Sequence, residues 1–265
     1  MSTQALDAVD LERYPIHDLD GKQGRALVEQ CRAALGSLGA CDLPGFLEPA
    51  AVEQIVSEIP SWDAEPFRTE ATHNIEFSGR EDELAPDDPL RIQVRSAKQL
   101  IAYDQIPASS SLRAAYESDA LTRFVGQALE VNPIYRQADE IGALNVMVYD
   151  TGDELGWHFD NADFVVTLML QATTAGGRFE YVPMLRTPDD DNPAGVAALL
   201  EGDRSGVRTM SPEPGTLALF RGHFSPHRVT PVEGERQRIN AVLAYAGAPD
   251  ARLSASARRI FFGRE

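Results

Sequence analysis

The sequence predicts a mainly β protein in which N-terminal helices pack against a double-stranded β-helix, the cupin-like jelly roll. After Pro133, short runs rich in Val, Ile, Leu, Phe and Tyr alternate with turn residues, a pattern typical of an antiparallel sandwich or barrel. Before Pro133, apolar residues recur mostly at helical spacing. A chain of 265 residues can bury one full core. We therefore expect a single domain over 1–265, with a helical part at 1–133 and a jelly-roll core at 134–265.

Three helices are predicted in the N-terminal part. The first covers 22–36, and glycines that follow it can end it. The second covers about 48–59 and the third about 109–130, where a serine run can cap the first turn. Residues 60–90 are rich in Pro, Asp and Glu, so we expect a long surface excursion there.

The strands of the predicted jelly roll follow in chain order, each ended by turn residues. They are IYRQ, GALNVMVY, GWHFD, FVVTLMLQ, GRFEYVP, VRTM, TLALF, HRVTP and INAVLAY. A polar insertion at 186–205 interrupts them, and we expect it to form a loop near the mouth of the barrel.

The charge and hydropathy of the chain exclude several classes of partner. A formal net charge of −17 argues against nucleic acid, because phosphate binding needs a basic surface. The most apolar run, 164–170, is far too short to cross a bilayer. The N-terminus lacks the basic and apolar segments of a secretory signal. We expect a cytoplasmic protein that binds a small molecule and neither nucleic acid nor membrane; the oligomeric state stays open, with a homodimer as one option.

The sequence contains two cysteines, Cys31 and Cys41. Two cysteines cannot build a disulfide framework or a thiolate metal cluster. A single bridge between them stays open, although two reduced thiols are favoured in a cytosolic protein.

A candidate metal site lies in the strand-rich half of the chain. In the segment GWHFD, His158 and Asp160 are two residues apart, and such residues point to the same face of a strand. A third ligand must come from elsewhere, and His227 near the end of the strand set is the natural candidate. Two histidines and one carboxylate leave three coordination positions open, which suits non-haem Fe(II). Zinc usually prefers a closed tetrahedron or one open position.

An arginine follows the distal histidine at a distance that fits a cosubstrate anchor. Arg238 opens the strand RINAVLAY, and a guanidinium buried at that point is costly unless it is paired. The distal carboxylate of 2-oxoglutarate would accept a bidentate hydrogen bond from it. Arg236 is the competitor, but it lies in a turn where solvation is expected. Asn240 shares the face of Arg238 by strand alternation.

At this point the chain resembles the 2-oxoglutarate/Fe(II) oxygenases, and more narrowly the BesD/HalD-type amino-acid halogenases and their hydroxylase relatives. The likeness covers about residues 142–263, and the N-terminal part matches more loosely. It is carried by GWHFDNADFVVTLMLQ, GGRFEYVPMLR, EGDRSGVR, EPGTLALFRG, HRVTPVEGERQR, AVLAYAGAP and ARRIFFGR.

The resemblance implies a double-stranded β-helix that binds Fe(II) and 2-oxoglutarate, uses O2 as cosubstrate, and acts on a free amino acid or similar small amine. It favours His227 over His223 as the distal ligand. Halogenases of this group carry a small residue where this chain has Asp160, which frees a position for halide. A carboxylate there implies hydroxylation with release of succinate and CO2. Desaturation, cyclisation and halogenation remain alternatives with the same cofactors.

Further residues are candidates for contact with the organic ligands, and the resemblance itself points to Arg95, which matches the position where the family has an arginine near the amino-acid carboxylate. Tyr149 and Asn145 are candidates for 2-oxoglutarate on the strand before the ligand pair. The candidates for the substrate are Arg95, Asn161, Asn240 and Glu140.

Two interpretations of the sequence as a protein of another functional class remain open. A non-catalytic jelly-roll binding protein predicts a damaged ligand set or no basic anchor, and this sequence has both features intact. A cupin-like zinc or manganese hydrolase or isomerase predicts further His or Glu ligands in a wider motif.

Overall fold

In the computed structural model, which describes residues 6–77 and 84–265, most strands belong to one strongly curled sheet. The strands are β1 (Ala40–Leu43), β2 (Phe67–His73), β3 (Val94–Ile101), β4 (Tyr135–Arg136), β5 (Leu144–Tyr149), β6 (Glu154–His158), β7 (Val165–Gln171), β8 (Ala175–Gly176), β9 (Phe179–Tyr181), β10 (Arg208–Thr209), β11 (Leu217–Phe220), β12 (His227–Val229), β13 (Val232–Glu233), β14 (Arg238–Leu243) and β15 (Tyr245–Ala246). The helices are α1 (Lys22–Leu38), α2 (Pro49–Glu58), α3 (Ser111–Glu117), α4 (Asp119–Leu129), α5 (Pro193–Leu200) and α6 (Ala255–Phe262).

The sheet has two halves that meet at β3. One half has the order β1–β11–β7–β14–β5–β3, and the other has the order β6–β12–β9–β10. β3 pairs antiparallel with β5 on one side and with β6 on the other, so it joins the halves. β2 pairs with β3 along its whole length. The curl gives the sheet an inside and an outside, as the predicted jelly roll requires.

Side chains alternate between the inside and the outside along each long strand. On β5, Val146 and Val148 join the large core cluster with residues of α1, α2 and α4. The residues between and beyond them, Met147 and Tyr149, line an interior cavity instead. This is the period of two that a strand imposes, and it separates a structural face from a ligand face.

The N-terminal helices cover the outer face much as predicted. α1 begins at Lys22 and ends two residues beyond the expected 36, where Gly39 adopts φ +66 and its N–H bonds to the carbonyl of Leu35. A left-handed glycine is a frequent helix terminator, because no Cβ opposes that conformation. Cys31 and Cys41 are both free and buried.

The predicted third helix is two helices, α3 and α4. Ser118 separates them with an extended backbone (φ −67, ψ 126), and its hydroxyl caps α4 by accepting from the N–H of Leu121. A serine whose side chain bonds to the backbone competes with helix continuation, which explains the break.

Two other regions differ from their expected loops. The excursion at 60–90 contains β2, and part of it, 78–83, lies outside the described residues. The insertion at 186–205 contains α5, which Asn192 caps through its side-chain oxygen and the N–H of Gly195. Over the residues that the structure describes, no helix has the length and apolarity needed to cross a membrane.

Candidate metal centre and interior cavity

Three side chains converge at the open end of the interior. β6 ends at His158, and the chain continues past the strand to Asp160, whose N–H bonds to the carbonyl of Gly222 at 3.1 Å. His227 opens β12 and is the direct cross-strand partner of His158. The Nε2 atoms of His158 and His227 lie 3.7 and 3.6 Å from the two carboxylate oxygens of Asp160. One ligand atom from each residue lies within 4.8 Å of the others.

The backbone fixes the orientation of both imidazoles. Nδ1 of His158 lies 2.8 Å from the carbonyl of Gly156, and Nδ1 of His227 lies 3.1 Å from the carbonyl of Ser225. A carbonyl only accepts, so each Nδ1 carries a proton, and Nε2 is the ring atom that is available to a metal ion. Hydrogen bonds of this type are the usual support for metal-bound histidines.

The electrostatics of the three groups agree with a bound cation. Burial, together with the charge of His227, lowers the pKa of His158 well below 6.5, so that imidazole is neutral. Burial raises the pKa of Asp160, against the opposing influence of His227 and His223. Its Oδ2 atom is enclosed and lacks a hydrogen-bond partner. An unsatisfied carboxylate oxygen beside the Nε2 atoms of two imidazoles is a donor set that fits a divalent metal ion.

Aromatic rings pack against the imidazoles of the two histidines. Phe179 stacks on His227 with ring centroids 5.3 Å apart, and Phe220 meets the same ring edge-on at 4.8 Å. Phe77 lies edge-on to His158 at 5.1 Å. Sequence reasoning missed these contacts, because the rings come from strands and loops distant in sequence.

The interior cavity extends from these side chains into the barrel and has a volume of about 210 Å³. Its walls are mostly apolar, with Arg238, Asn240 and Thr167 among the polar residues that face it. Ligand sites commonly combine an apolar wall with a few such polar groups.

Arg238 is the buried cation of this cavity, with only 5% of its surface exposed. Its Nε donates to the carbonyl of Gly177 at 3.1 Å, and its guanidinium lies 5.4 Å from the ring centre of Tyr149. Within the described part of the chain, no carboxylate lies within ion-pair distance of it. Burial lowers the pKa of Arg238, which expresses the cost of holding this charge away from water. The competing residue, Arg236, is exposed.

The remaining candidates for ligand contact fall into two groups. Tyr149 and Asn240 line the cavity. Asn145 is buried with its carboxamide oxygen unpaired, but it is not part of the cavity wall.

Arg95, Asn161 and Glu140 are not brought into the cavity wall. Asn161 and Glu140 are exposed. Arg95 faces outward, where it bonds to Glu70 at 2.9 Å and to the carbonyl of Gly152 at 2.8 Å. A substrate role for these three residues stays a prediction, and their positions give it no support.

Two histidines outside the ligand set lie nearby. Nδ1 of His223 is 3.0 Å from the backbone carbonyl of Asp160, so His223 supports the ligand loop. His73 bonds to Ser96 at 2.6 Å, and its ring lies edge-on to that of His158 at 6.3 Å between centroids.

Comparison with known proteins agrees with this architecture. The family model described as halogenase D matches residues 68–260. No curated protein matches the chain.

Several solved structures share the fold. An oxidoreductase of the 2OG-Fe(II) oxygenase family from Burkholderia pseudomallei is 15% identical with a TM-score of 0.56, over 84% of this chain and 92% of that chain. AviO1 from Streptomyces viridochromogenes is 17% identical with a TM-score of 0.54, over 84% of this chain and 97% of that chain. HygX from Streptomyces hygroscopicus, solved with nickel, 2-oxoglutarate and hygromycin B, is 14% identical with a TM-score of 0.52, over 82% and 86%. At these identities the likeness concerns the fold, and it confirms the predicted jelly roll.

Proposed function

The chain belongs to the halogenase D family, and from this premise we propose that it is an Fe(II)- and 2-oxoglutarate-dependent dioxygenase that hydroxylates a free amino acid or similar small amine. The proposal rests chiefly on one observation. An unpaired carboxylate oxygen of Asp160 faces two imidazoles at the rim of a cavity that also holds Arg238, a buried arginine without an ion-pair partner among the described residues.

Each residue has a distinct role in this function. His158, Asp160 and His227 would hold the iron, and their backbone hydrogen bonds keep the Nε2 atoms aimed at it. Arg238 would bind the distal carboxylate of 2-oxoglutarate, which would supply the counter-charge that residues 6–77 and 84–265 do not. Tyr149 packs against this guanidinium and restricts its movement. The apolar wall of the cavity excludes water from the reacting groups.

Bound iron, with O2 and 2-oxoglutarate, supplies the oxidising power needed to break an unactivated C–H bond. The protein supplies ligation, orientation and a dry cavity. Asp160 would favour one reaction over the other, because its carboxylate would occupy a metal position that a halide could otherwise take. We therefore favour hydroxylation over chlorination.

The test uses purified protein under anaerobic conditions with Fe(II) and 2-oxoglutarate. We expect a weak visible charge-transfer band, and then succinate release when O2 and free amino acids are added one at a time. Mass spectrometry of the product, with chloride present throughout, should show a hydroxylated amino acid. A chlorinated product would contradict the proposed reaction. Full zinc occupancy with hydrolytic turnover would contradict the proposed class.

A further inference from the structure

The interior face of the sheet carries a second buried cation, Lys98 on β3. Lys98 is 5% exposed. Across β3, Leu100 pairs with Met147 and Ser96 pairs with Leu155, and both partners line the interior cavity. Directly paired residues of antiparallel strands share a face. Lys98 lies between Ser96 and Leu100 by strand alternation, so its side chain is on the same inner face, although Lys98 itself is not one of the residues of the cavity wall.

The ammonium of Lys98 has no ion-pair partner among the residues that the structure describes, although Asp153 is close enough to influence its charge. Over 6–77 and 84–265 it makes no hydrogen bond or ion pair, and its nitrogen is not among the fully enclosed unpaired polar atoms. It therefore keeps a small opening to accessible space. Burial lowers the pKa of Lys98 to about 8, against the opposing charge of Asp153, so the group is mostly protonated at neutral pH.

The polar groups near Lys98 have other partners. Asp153 accepts from Arg68 through both oxygens, at 2.7 and 3.0 Å. Ser96 accepts from the N–H of Gly156 at 3.1 Å and bonds to His73 at 2.6 Å. The pKa values of His73 and His158 are both lowered by burial and by the charge of Lys98. An isolated buried ammonium is costly unless an anion is supplied from outside.

The inner face of the sheet therefore carries two buried cations, one on each side of Tyr149. Arg238 pairs directly with Tyr149 across β14 and β5, and Lys98 is next to Tyr149 on the other side when the β3–β5 register is extended by one residue. 2-Oxoglutarate has two carboxylates. Under the proposed function one of them binds the metal and the other binds Arg238, which leaves Lys98 for another molecule.

We propose that Lys98 binds the carboxylate of the organic substrate, so that the enzyme acts on free amino acids and not on simple amines. This inference rests on the proposed function. It replaces Arg95, which faces outward, with a residue three positions later that faces inward.

The test exploits the fact that the sequence contains two lysines, Lys22 and Lys98. Protein labelled with lysine carrying ¹³C at Cε gives two signals, and Lys22→Arg identifies the one from Lys98. The protein is loaded with Zn(II), a diamagnetic substitute for iron, and the Lys98 signal is titrated with pH. The additions are 2-oxoglutarate alone, then each free proteinogenic amino acid, then the carboxamide of any amino acid that responds.

An ion pair favours the charged amine, so one amino acid should raise the titration midpoint of Lys98 by about one unit or more, a tenfold change. The carboxamide and 2-oxoglutarate alone should leave it unchanged. Lys98→Met should raise the KM for that amino acid roughly tenfold or more while the affinity for 2-oxoglutarate is retained, and Lys22→Arg should change neither.

Two outcomes would overturn the inference. A response to 2-oxoglutarate alone would assign Lys98 to the cosubstrate. No response to any amino acid, with a normal Fe(II)/2-oxoglutarate band, would show that Lys98 does not bind the substrate carboxylate, and it would not affect the proposed function. A missing band with an intact amino-acid response would count against the proposed function, but it would support the binding of an amino-acid carboxylate by Lys98.

Discussion

At the scale of single residues, the position of Asp160 depends on a neighbour without a side chain. A Cβ built on Gly222 would overlap the carboxylate of Asp160, and the same glycine accepts the N–H of Asp160 through its carbonyl. The backbone of Gly222 does not have a positive φ, so conformational freedom is not what requires glycine here. The requirement is space for the carboxylate.

We expect Gly222→Ala to displace Asp160 and to weaken metal binding at least tenfold, with the fold intact. The measurement is a metal titration alongside circular dichroism. Gly36→Ala is the matched control, since Gly36 lies in α1 with open space around it and alanine favours helix by about 1 kcal/mol. Unchanged metal affinity in Gly222→Ala would show that Asp160 is not needed as a ligand in this position.

Asp160→Gly removes the proposed carboxylate ligand. We expect hydroxylation to fall by roughly 100-fold or more, because an iron ligand is lost. In the presence of chloride we expect a chlorinated product, since a position is opened. Product analysis by mass spectrometry decides both points. Hydroxylation at the original rate would exclude Asp160 from the ligand set.

Arg238→Ala tests the cosubstrate anchor. Loss of a charge-assisted bidentate contact should weaken 2-oxoglutarate binding by about 3 kcal/mol, or roughly a hundredfold. Titration of the charge-transfer band measures this directly. Arg236→Ala should have no effect, because Arg236 is exposed in a turn. The opposite result would identify Arg236 as the anchor.

At the scale of elements, the antiparallel pairing of β6 with β12 creates the candidate metal centre. His158 and His227 are direct partners in this pair, although they are 69 positions apart in the sequence. The strand end also matters. β6 stops at His158, so Asp160 is placed by the loop and by Gly222, and not by the strand alternation that the sequence suggested.

The C-terminal helix α6 is attached to the barrel through Asp139, which is 2% exposed. Its carboxylate accepts from the N–H groups of Gly142, Ile141 and Leu253 and from Arg258 on α6, at 2.7 to 3.1 Å. Burial alone would raise the pKa of Asp139, but these hydrogen bonds outweigh it and the pKa is lowered.

We expect Asp139→Asn to destabilise the protein by about 2 kcal/mol and to speed hydrogen exchange in α6, because an amide cannot satisfy all these donors. Since the folded pKa is depressed, the contribution of Asp139 is fully present above the ordinary value of 3.8 and is lost as the pH falls through the folded pKa. Chemical denaturation at several pH values measures the loss of stability and its pH dependence, and hydrogen exchange measures the opening of α6. Asp119→Asn, in an exposed pair with Arg136, should change stability by less than about 0.5 kcal/mol.

At the scale of the whole molecule, the candidate metal centre lies on the half of the curled sheet that contains β6 and β12, and the hydrogen bond from the N–H of Asp160 to the carbonyl of Gly222, just after β11, connects it to the other half. A ligand that binds only this folded arrangement must stabilise all of it. The prediction of one domain over 1–265 stays a prediction.

We expect saturating metal with 2-oxoglutarate, at about 100 times the Kd, to stabilise the fold by about 2.7 kcal/mol and raise Tm by roughly 5–10 °C. Thermal unfolding with and without a chelator measures this. His227→Ala should abolish the shift, whereas His17→Ala should retain it, because His17 is exposed and distant in sequence from the ligand set. A full shift in His227→Ala would contradict the assignment of His227.

The sequence alone determined the features that depend on local order. Strand alternation predicted that Arg238 and Asn240 share a face, and both line the cavity. The predicted strands after Pro133 each overlap an observed strand, because hydrophobic periodicity and turn residues act over a few neighbouring positions.

Only the tertiary structure decided which face of a strand points inward. Arg95 and Lys98 are three residues apart on β3, so they point to opposite faces whichever way the strand is turned. Arg95 was the residue expected near the substrate carboxylate. The pairing of β3 with β5 and β6 instead places Lys98 on the inner face and Arg95 on the outer face. The sequence likewise did not indicate that Gly222 positions Asp160. The period of a strand is a local property, whereas its register and the curl of the sheet depend on partners far along the chain.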